Sequence, residues 1–458
     1  MKITNDNGLV IAPAGFGKTE DIVSQTKKIL SEKMVLILTH TNIGVEEILN
    51  RLKSQSIDNN KVNVMTIASF SLKYIKCFPI ISGYVDNQES FDKEIYKKMS
   101  ILLDNKHVKE IIQNTYSYIF VDEYQDCNIL QHQMIKKICE ILDYKIYGDP
   151  LQSLFNFDGD AISFKEIINK DYKLVGALNY PWRWEKYNKH LGKWIFNIRK
   201  KILNNEEIKL LSISNYISFI KTDNLINTIR QVGYNYISKN ISNVILTRLE
   251  HETISVTKQF AGKYKMQDDI ECKLLKEFCK KINLKEKKHI LVELFKIIKS
   301  SYSGTSIVKN VIDKINAFDY NLRNLRTNKD LIKMIEDFIN CDTINFNILM
   351  EIISYIESID KINKYRYDLI NILKKLLINL SENNDQNVIE LLHLITSNRN
   401  QTKFKYTISR VLLVKGLQFD NVIIISPEKM TKEEFYVAIS RATKSITIIS
   451  EVSLLKFS

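Results

Sequence analysis

Residues 12–19, APAGFGKT, put two glycines, a lysine and a threonine where a chain can wrap a polyphosphate. Gly15 and Gly17 let backbone N–H groups turn inward on phosphate oxygens, and a following helix adds its positive N-terminal end. Lys18 is then expected to reach the β- and γ-phosphates of a nucleotide, and the Thr19 hydroxyl to bind Mg²⁺. Ala12, Pro13, Ala14 and Phe16 complete the loop. Further on, YIFVDEYQD ends an apolar run in two acids. Asp122 is expected to hold the metal, and Glu123 to position and deprotonate an attacking water. Gln152, in YGDPLQS, adds a polar sensor. Nucleotide binding needs the first segment; hydrolysis needs all of them.

These groups require a scaffold that delivers them to one edge. LVIAP, MVLILT, NVMTI, YIFVDE, YKIYGD and KLVGAL read as buried parallel strands separated by helical stretches. That pattern predicts an open α/β sheet with ligands at the carboxyl ends of its strands. It occupies residues 1–180, with a small helical insertion over about 73–114. A second α/β pattern is split. NVILTR stands at 243–248, while RVLLVKG, NVIIIS and SITIIS lie between 410 and 450. The intervening 255–405 lacks proline, has no glycine after Gly304, and carries helical periodicity, as in NKDLIKMIEDFI. The expected organisation is therefore two parallel-sheet α/β domains, the first carrying the phosphate loop. The second comprises 181–254 and 406–458, and an all-helical domain is inserted into it.

No apolar run approaches the ~18 residues a membrane span requires. The first apolar run leads straight into the phosphate loop, so no cleavable leader is expected. The six cysteines (77, 127, 139, 272, 279, 341) include no C-x-x-C pair and read as reduced thiols of a cytoplasmic protein. A formal charge of +13 suits a polyanionic partner.

VDEYQD, GDPLQSLFNF, YPWRW, KGLQFD and YVAISRAT together resemble, in order and rough spacing, the motifs of UvrD/Rep-type superfamily 1 helicases. The resemblance covers about 8–250 and 405–450, and the short first-domain insertion suggests a compact member. It implies that the two sheets are RecA-like parallel-sheet P-loop NTPase domains. It also implies an ATP- and Mg²⁺-dependent DNA helicase or translocase of 3′ to 5′ polarity, acting in repair, replication or defence. Gln152 then senses the γ-phosphate, and Arg183 and Arg441 stabilise charge on it from the second domain. The resemblance also puts Trp182 against the base and Gly416 and Gln418 on the nucleotide. Gln418 replaces the usual glutamate, Leu412 or a neighbour stands where a histidine is common, and no glutamine precedes the phosphate loop to read adenine.

Single-stranded DNA, or DNA with single-stranded ends, is the implied partner, alongside a nuclease or repair protein. Thr39, His40, Asn42, Thr66, Ser69, Phe70 and Arg248 resemble the family's strand-binding positions. Phe155 and Phe157 lie where members stack aromatics between bases, worth ~1–3 kcal/mol per base. A different class of function uses the same parts. A DNA-sensing regulatory ATPase of an anti-phage complex, Gabija-like, would hydrolyse ATP with little unwinding. A P-loop kinase or GTPase leaves the helicase-like motifs unexplained.

Overall fold

The computed structural model describes residues 3, 6–84, 91–154, 169–213, 215–267, 273–322, 325, 327–382, 387–397 and 404–457. The six apolar runs of the first part all become strands: β1 (Gly8–Ile11), β2 (Met34–Thr39), β3 (Val62–Thr66), β4 (Tyr116–Val121), β5 (Asp143–Gly148) and β6 (Leu174–Ala177). They form one parallel sheet in the order β3-β2-β4-β5-β1-β6. Helices α1 (Lys18–Ile29), α2 (Asn42–Ser54) and α3 (Ile67–Cys77) follow the first three strands, and α4 (Phe91–Leu102) and α5 (Lys106–Thr115) lead into β4. One face buries Val10, Val35, Ile37, Phe120 and Tyr147; the other buries Leu9, Leu36, Leu38, Ile119 and Ile146. Alternate residues of each strand thus enter different cores, as a doubly covered sheet demands.

The second sheet is also parallel. Its strands are β7 (Ile217–Lys221), β8 (Asn243–Thr247), β9 (Lys265–Met266), β10 (Tyr406–Arg410), β11 (Phe419–Ile425) and β12 (Ala442–Ser450), in the order β9-β10-β8-β11-β12-β7. Three parts of it differ from the sequence reading, the first being the two-residue strand β9, which falls inside the segment expected to be all-helical. RVLLVKG is not a strand. The strand ends at Arg410, and Val411–Val414 form a 3₁₀ turn that buries Val411 and Val414, three residues apart, on one side. That turn redirects the chain so that Lys415 points back at the first sheet. The edge strand β7 was not among the expected strands; its alternation in NYISFIK is short and half-buried.

Between β9 and β10 the described chain is mainly helical, from Lys273–Asn283 through Val388–Ser397. A core of its own, running from Leu275 to Leu392 and rich in Ile and Leu, holds these helices together. Among the described residues no helix is long and apolar enough to cross a membrane.

Candidate nucleotide site and strand-facing edge

The phosphate loop leaves β1 and enters α1 through Gly15 and Gly17, at φ of 77° and 86°. Both angles lie in the left-handed region that only glycine enters without strain. Space is equally demanding: a Cβ on Gly17 would stand 2.8 Å from Trp182, and one on Gly15 2.9 Å from Arg183. Trp182 is 59% exposed, so it is a surface aromatic leaning on the loop and not a core tryptophan. Tyr180 packs against it, with ring centroids 4.5 Å apart.

Lys18, the first residue of α1, reaches across to the end of β4. Its Nζ lies 2.9 Å from Asp122 Oδ1 and also pairs with Glu123 Oε1. Burial opposes the ammonium charge, but the two carboxylates outweigh it and hold Lys18 above its usual range. Burial pushes Asp122 up to about 6 against the pull of Lys18. Glu123 goes the other way: despite burial, the charges of Lys18 and then Lys415 hold it well below the usual carboxylate range. Its backbone is left-handed, at φ 54° and ψ 39°, a sparsely populated state for glutamate. Gln125 donates to Glu123 Oε2 at 2.5 Å and accepts from Asp149 N at 3.0 Å. The acid expected to face water is thus fixed from two sides.

Hard oxygen donors for Mg²⁺ are present in the Thr19 hydroxyl and the Asp122 carboxylate. The set fits a cation that uses one or two protein oxygens and takes the rest from phosphates and water. Because Lys18 now stands on Asp122, a metal–nucleotide complex has to draw that ammonium onto its phosphates.

Gln152 is buried and donates to Asp149 Oδ2 at 2.9 Å, while Arg199 pairs with Asp149 Oδ1 at 2.7 Å. Arg199 lies over the Tyr436 ring at 5.0 Å. Arg183 packs on the phosphate loop, its N–H donating to Gly15 O at 2.9 Å and its Nη1 to Ser440 O at 2.7 Å. Trp184 Nε1 donates to Ala442 O at 2.7 Å, tying YPWRW to the start of β12. Arg441 is 1% exposed. Among the described residues, neither guanidinium has a carboxylate within 4.0 Å. Burial lowers Arg183 to about 10; burial and then the charge of Arg183 lower Arg441 to about 9. A half-buried and a fully buried cation beside a phosphate loop form a receptor for an anion.

Lys415, in the loop before β11, joins the two sheets. Its Nζ lies 2.5 Å from both Asp126 oxygens and 2.7 Å from Gln152 O. Sequence reasoning missed this lysine, along with Gln125, Asp126 and Arg199. The first three sit inside the quoted motifs, where a position-by-position reading finds them. Arg199 is in the helix α6 (Lys189–Leu203), where no motif marks it. Gly416 is left-handed, at φ 81°, in the same loop as Lys415. Gln418 is exposed and lines a cavity of about 300 Å³ with Asn243, Gln267, Asp368 and Asp420.

The expected strand-binding residues fall into groups. Asn42 is exposed at the start of α2. Thr66 caps α3, accepting from Ser69 N at 3.0 Å and donating to Ser69 Oγ at 2.8 Å. Arg248 is part-exposed after β8. Phe70 and Thr39 need correction. Phe70 is fully buried against Tyr74, with centroids 4.8 Å apart, and Thr39 is 2% exposed under α2, so neither offers its side chain to a strand. His40 lies 3.4 Å from Cys127 and within the field of Lys415, Glu123 and Lys18. Burial and the Lys415 charge lower it to about 4, so it meets the carboxylate cluster as a neutral ring. Phe155 and Phe157 lie outside the described residues.

The UvrD/REP helicase N-terminal domain model matches residues 1–80 and 81–173, and the viral superfamily 1 RNA helicase core domain model matches 363–450. The ATP-dependent DNA helicase Rep of Buchnera aphidicola subsp. Baizongia pistaciae is 27% identical over 131 residues, 28% of this chain and 20% of that protein. RecBCD enzyme subunit RecB of Borreliella burgdorferi is 27% identical over 329 residues, 63% of this chain and 27% of that one. Gabija protein GajB of Bacillus cereus is 28% identical over 199 residues, 34% of this chain and 40% of that one. A solved arterivirus nonstructural protein 10 helicase covers 96% of this chain and 60% of its own, at 10% identity and a TM-score of 0.38, too distant to add weight. The matched segment spans only about a fifth of the first relative's length. With its ordered motifs converging on one phosphate loop, the chain carries a UvrD/REP helicase N-terminal domain over residues 1–173 and is similar to UvrD/Rep-type superfamily 1 helicases.

Proposed function

We propose that the protein is an ATP-dependent DNA translocase that unwinds duplex with 3′ to 5′ polarity, its ATP hydrolysis stimulated by single-stranded DNA. One observation carries the hydrolytic half: Arg441, buried, and Arg183, half-buried against Gly15 of the phosphate loop, have no carboxylate within 4.0 Å among the described residues and lie within the field of Glu123. Phosphate charge entering beside that loop meets Arg183 at Gly15, and Arg441 adds a second cation once its guanidinium turns from its protein acceptors to the phosphate. Glu123, oriented by Gln125, takes the proton from water, and Gln152 is held by Asp149 for the γ-phosphate. Bound Mg²⁺ would offset phosphate charge from Asp122 and Thr19. The +13 charge and the family relation support a nucleic-acid track. Turnover with and without oligo(dT), and strand displacement on 3′- and 5′-tailed duplexes, test the proposal. DNA-independent turnover, or unwinding from the 5′ tail only, refutes it.

The GajB match supports a second reading, a DNA-sensing ATPase that works with a nuclease. DNA-stimulated hydrolysis without strand displacement favours that reading over a stand-alone motor.

A further inference from the structure

Arg248, expected on the strand, and Arg441, expected on the γ-phosphate, bracket one short helix, α7 (Lys432–Ser440). Its start is a capping box: Thr431 N donates to Glu434 Oε2 at 2.8 Å, and Glu434 N donates to Thr431 Oγ1 at 3.2 Å. The same Oε2 accepts Arg248 Nε at 3.1 Å. Glu434 is 14% exposed and Arg248 36%, so solvent and a polyanion can reach the arginine side of the pair. At the other end, all three guanidinium nitrogens of Arg441 are engaged within the protein. Nε donates to Val437 O at 3.1 Å, Nη1 to Leu417 O at 3.3 Å and Nη2 to Ser440 Oγ at 2.7 Å. Phe435 to Ser440 are all buried, so the helix is gripped along its length and moves as a body.

We propose that the Glu434–Arg248 pair is a catch that holds α7 with Arg441 parked, and that a strand phosphate opens it. A phosphate on Arg248 competes with Glu434 for one guanidinium and repels the carboxylate. The start of α7 is then released, and the helix, taking along the Val437 O and Ser440 Oγ that hold Arg441, carries the guanidinium off Leu417 O and toward the nucleotide. Strand occupancy and charge stabilisation at the γ-phosphate become two ends of one lever. The inference rests on the DNA-stimulated reading above. Glu434 is a positioning residue in it, since it touches neither nucleotide nor strand.

Glu434→Gln removes the charge but keeps a side chain that serves in a capping box. Turnover with and without oligo(dT), and anisotropy of a labelled oligo(dT), are measured on wild type, Glu434→Gln and Arg248→Ala. Glu434→Gln should bind oligo(dT) about two- to fivefold tighter, the range an exposed ion pair supplies. Its DNA-free kcat should rise and its stimulation ratio shrink. Arg248→Ala should also raise DNA-free kcat while weakening oligo(dT) binding. Opposite effects on affinity with the same effect on basal turnover mark a catch; a merely structural pair would lower turnover in both. Wild-type basal rate and stimulation ratio in both variants, or reduced turnover in both, would overturn the catch. A wild-type protein that oligo(dT) does not stimulate overturns the proposed function itself, a result visible before any variant is made.

Discussion

Replacing Arg441 by methionine should separate stability from catalysis. The guanidinium is 1% exposed, has no carboxylate partner among the described residues, and sits in the field of Arg183. Burial and that repulsion bring it to about 9, which corresponds to about 5 kcal/mol spent in keeping the charge. Its hydrogen bonds to Val437 O, Ser440 Oγ and Leu417 O return about 3–4 kcal/mol. Methionine fills similar volume without the charge, so the nucleotide-free protein should gain about 1–2 kcal/mol and melt about one to three degrees higher. Turnover should move the other way. A cation that acts on transition-state charge is worth about 10³-fold or more in kcat, while KM for ATP should stay within about threefold. Thermal melts without nucleotide and steady-state ATPase with oligo(dT) give both numbers on one preparation. A melting point several degrees lower with kcat nearly intact would refute the reasoning and make Arg441 a structural cation. A raised KM with unchanged kcat would make it a ground-state contact.

Lys18→Ala and Glu123→Gln should both abolish hydrolysis. Nucleotide binding, read by titration with a fluorescent ATP analogue, should fail in the first and survive in the second, because Asp122 remains. Near-normal turnover in Glu123→Gln would remove it as the base. Asp122, displaced upward to about 6, takes up a proton as pH falls through that value and loses its hold on a cation. kcat/KM at limiting Mg²⁺ should therefore drop below about pH 6, and raised Mg²⁺ should partly restore it; a profile flat to pH 5 contradicts this assignment. Trp182→Ala should raise KM for ATP severalfold with little change in kcat, since this exposed ring leans on Gly17 and not on the carboxylates; an unchanged KM would show that the base stacks elsewhere.

Much of the site was legible from the sequence because its chemistry is local. Gly15, Gly17, Lys18 and Thr19 are consecutive or nearly so, and a strand before them and a helix after them are enough to build an anion cradle. The same holds for Asp122 and Glu123, placed by a buried strand that must end at a sheet edge. Continuous apolar runs also marked the first sheet, since each strand is buried on both faces and reads as an unbroken block. What sequence could not decide is which distant groups meet. Arg199 finds Asp149, Lys415 finds Asp126 and Arg248 finds Glu434 across separations that no local pattern encodes. Burial is likewise a tertiary property. Phe70 and Trp182 are both aromatics beside motifs, but packing against Tyr74 hides one and the surface over Gly17 leaves the other exposed. The charge state of the site is decided in the same way. Asp122 and Glu123 are neighbours of one chemical type, yet only the fold sets Lys415 and Gln125 on one and not the other, and so drives their proton affinities apart.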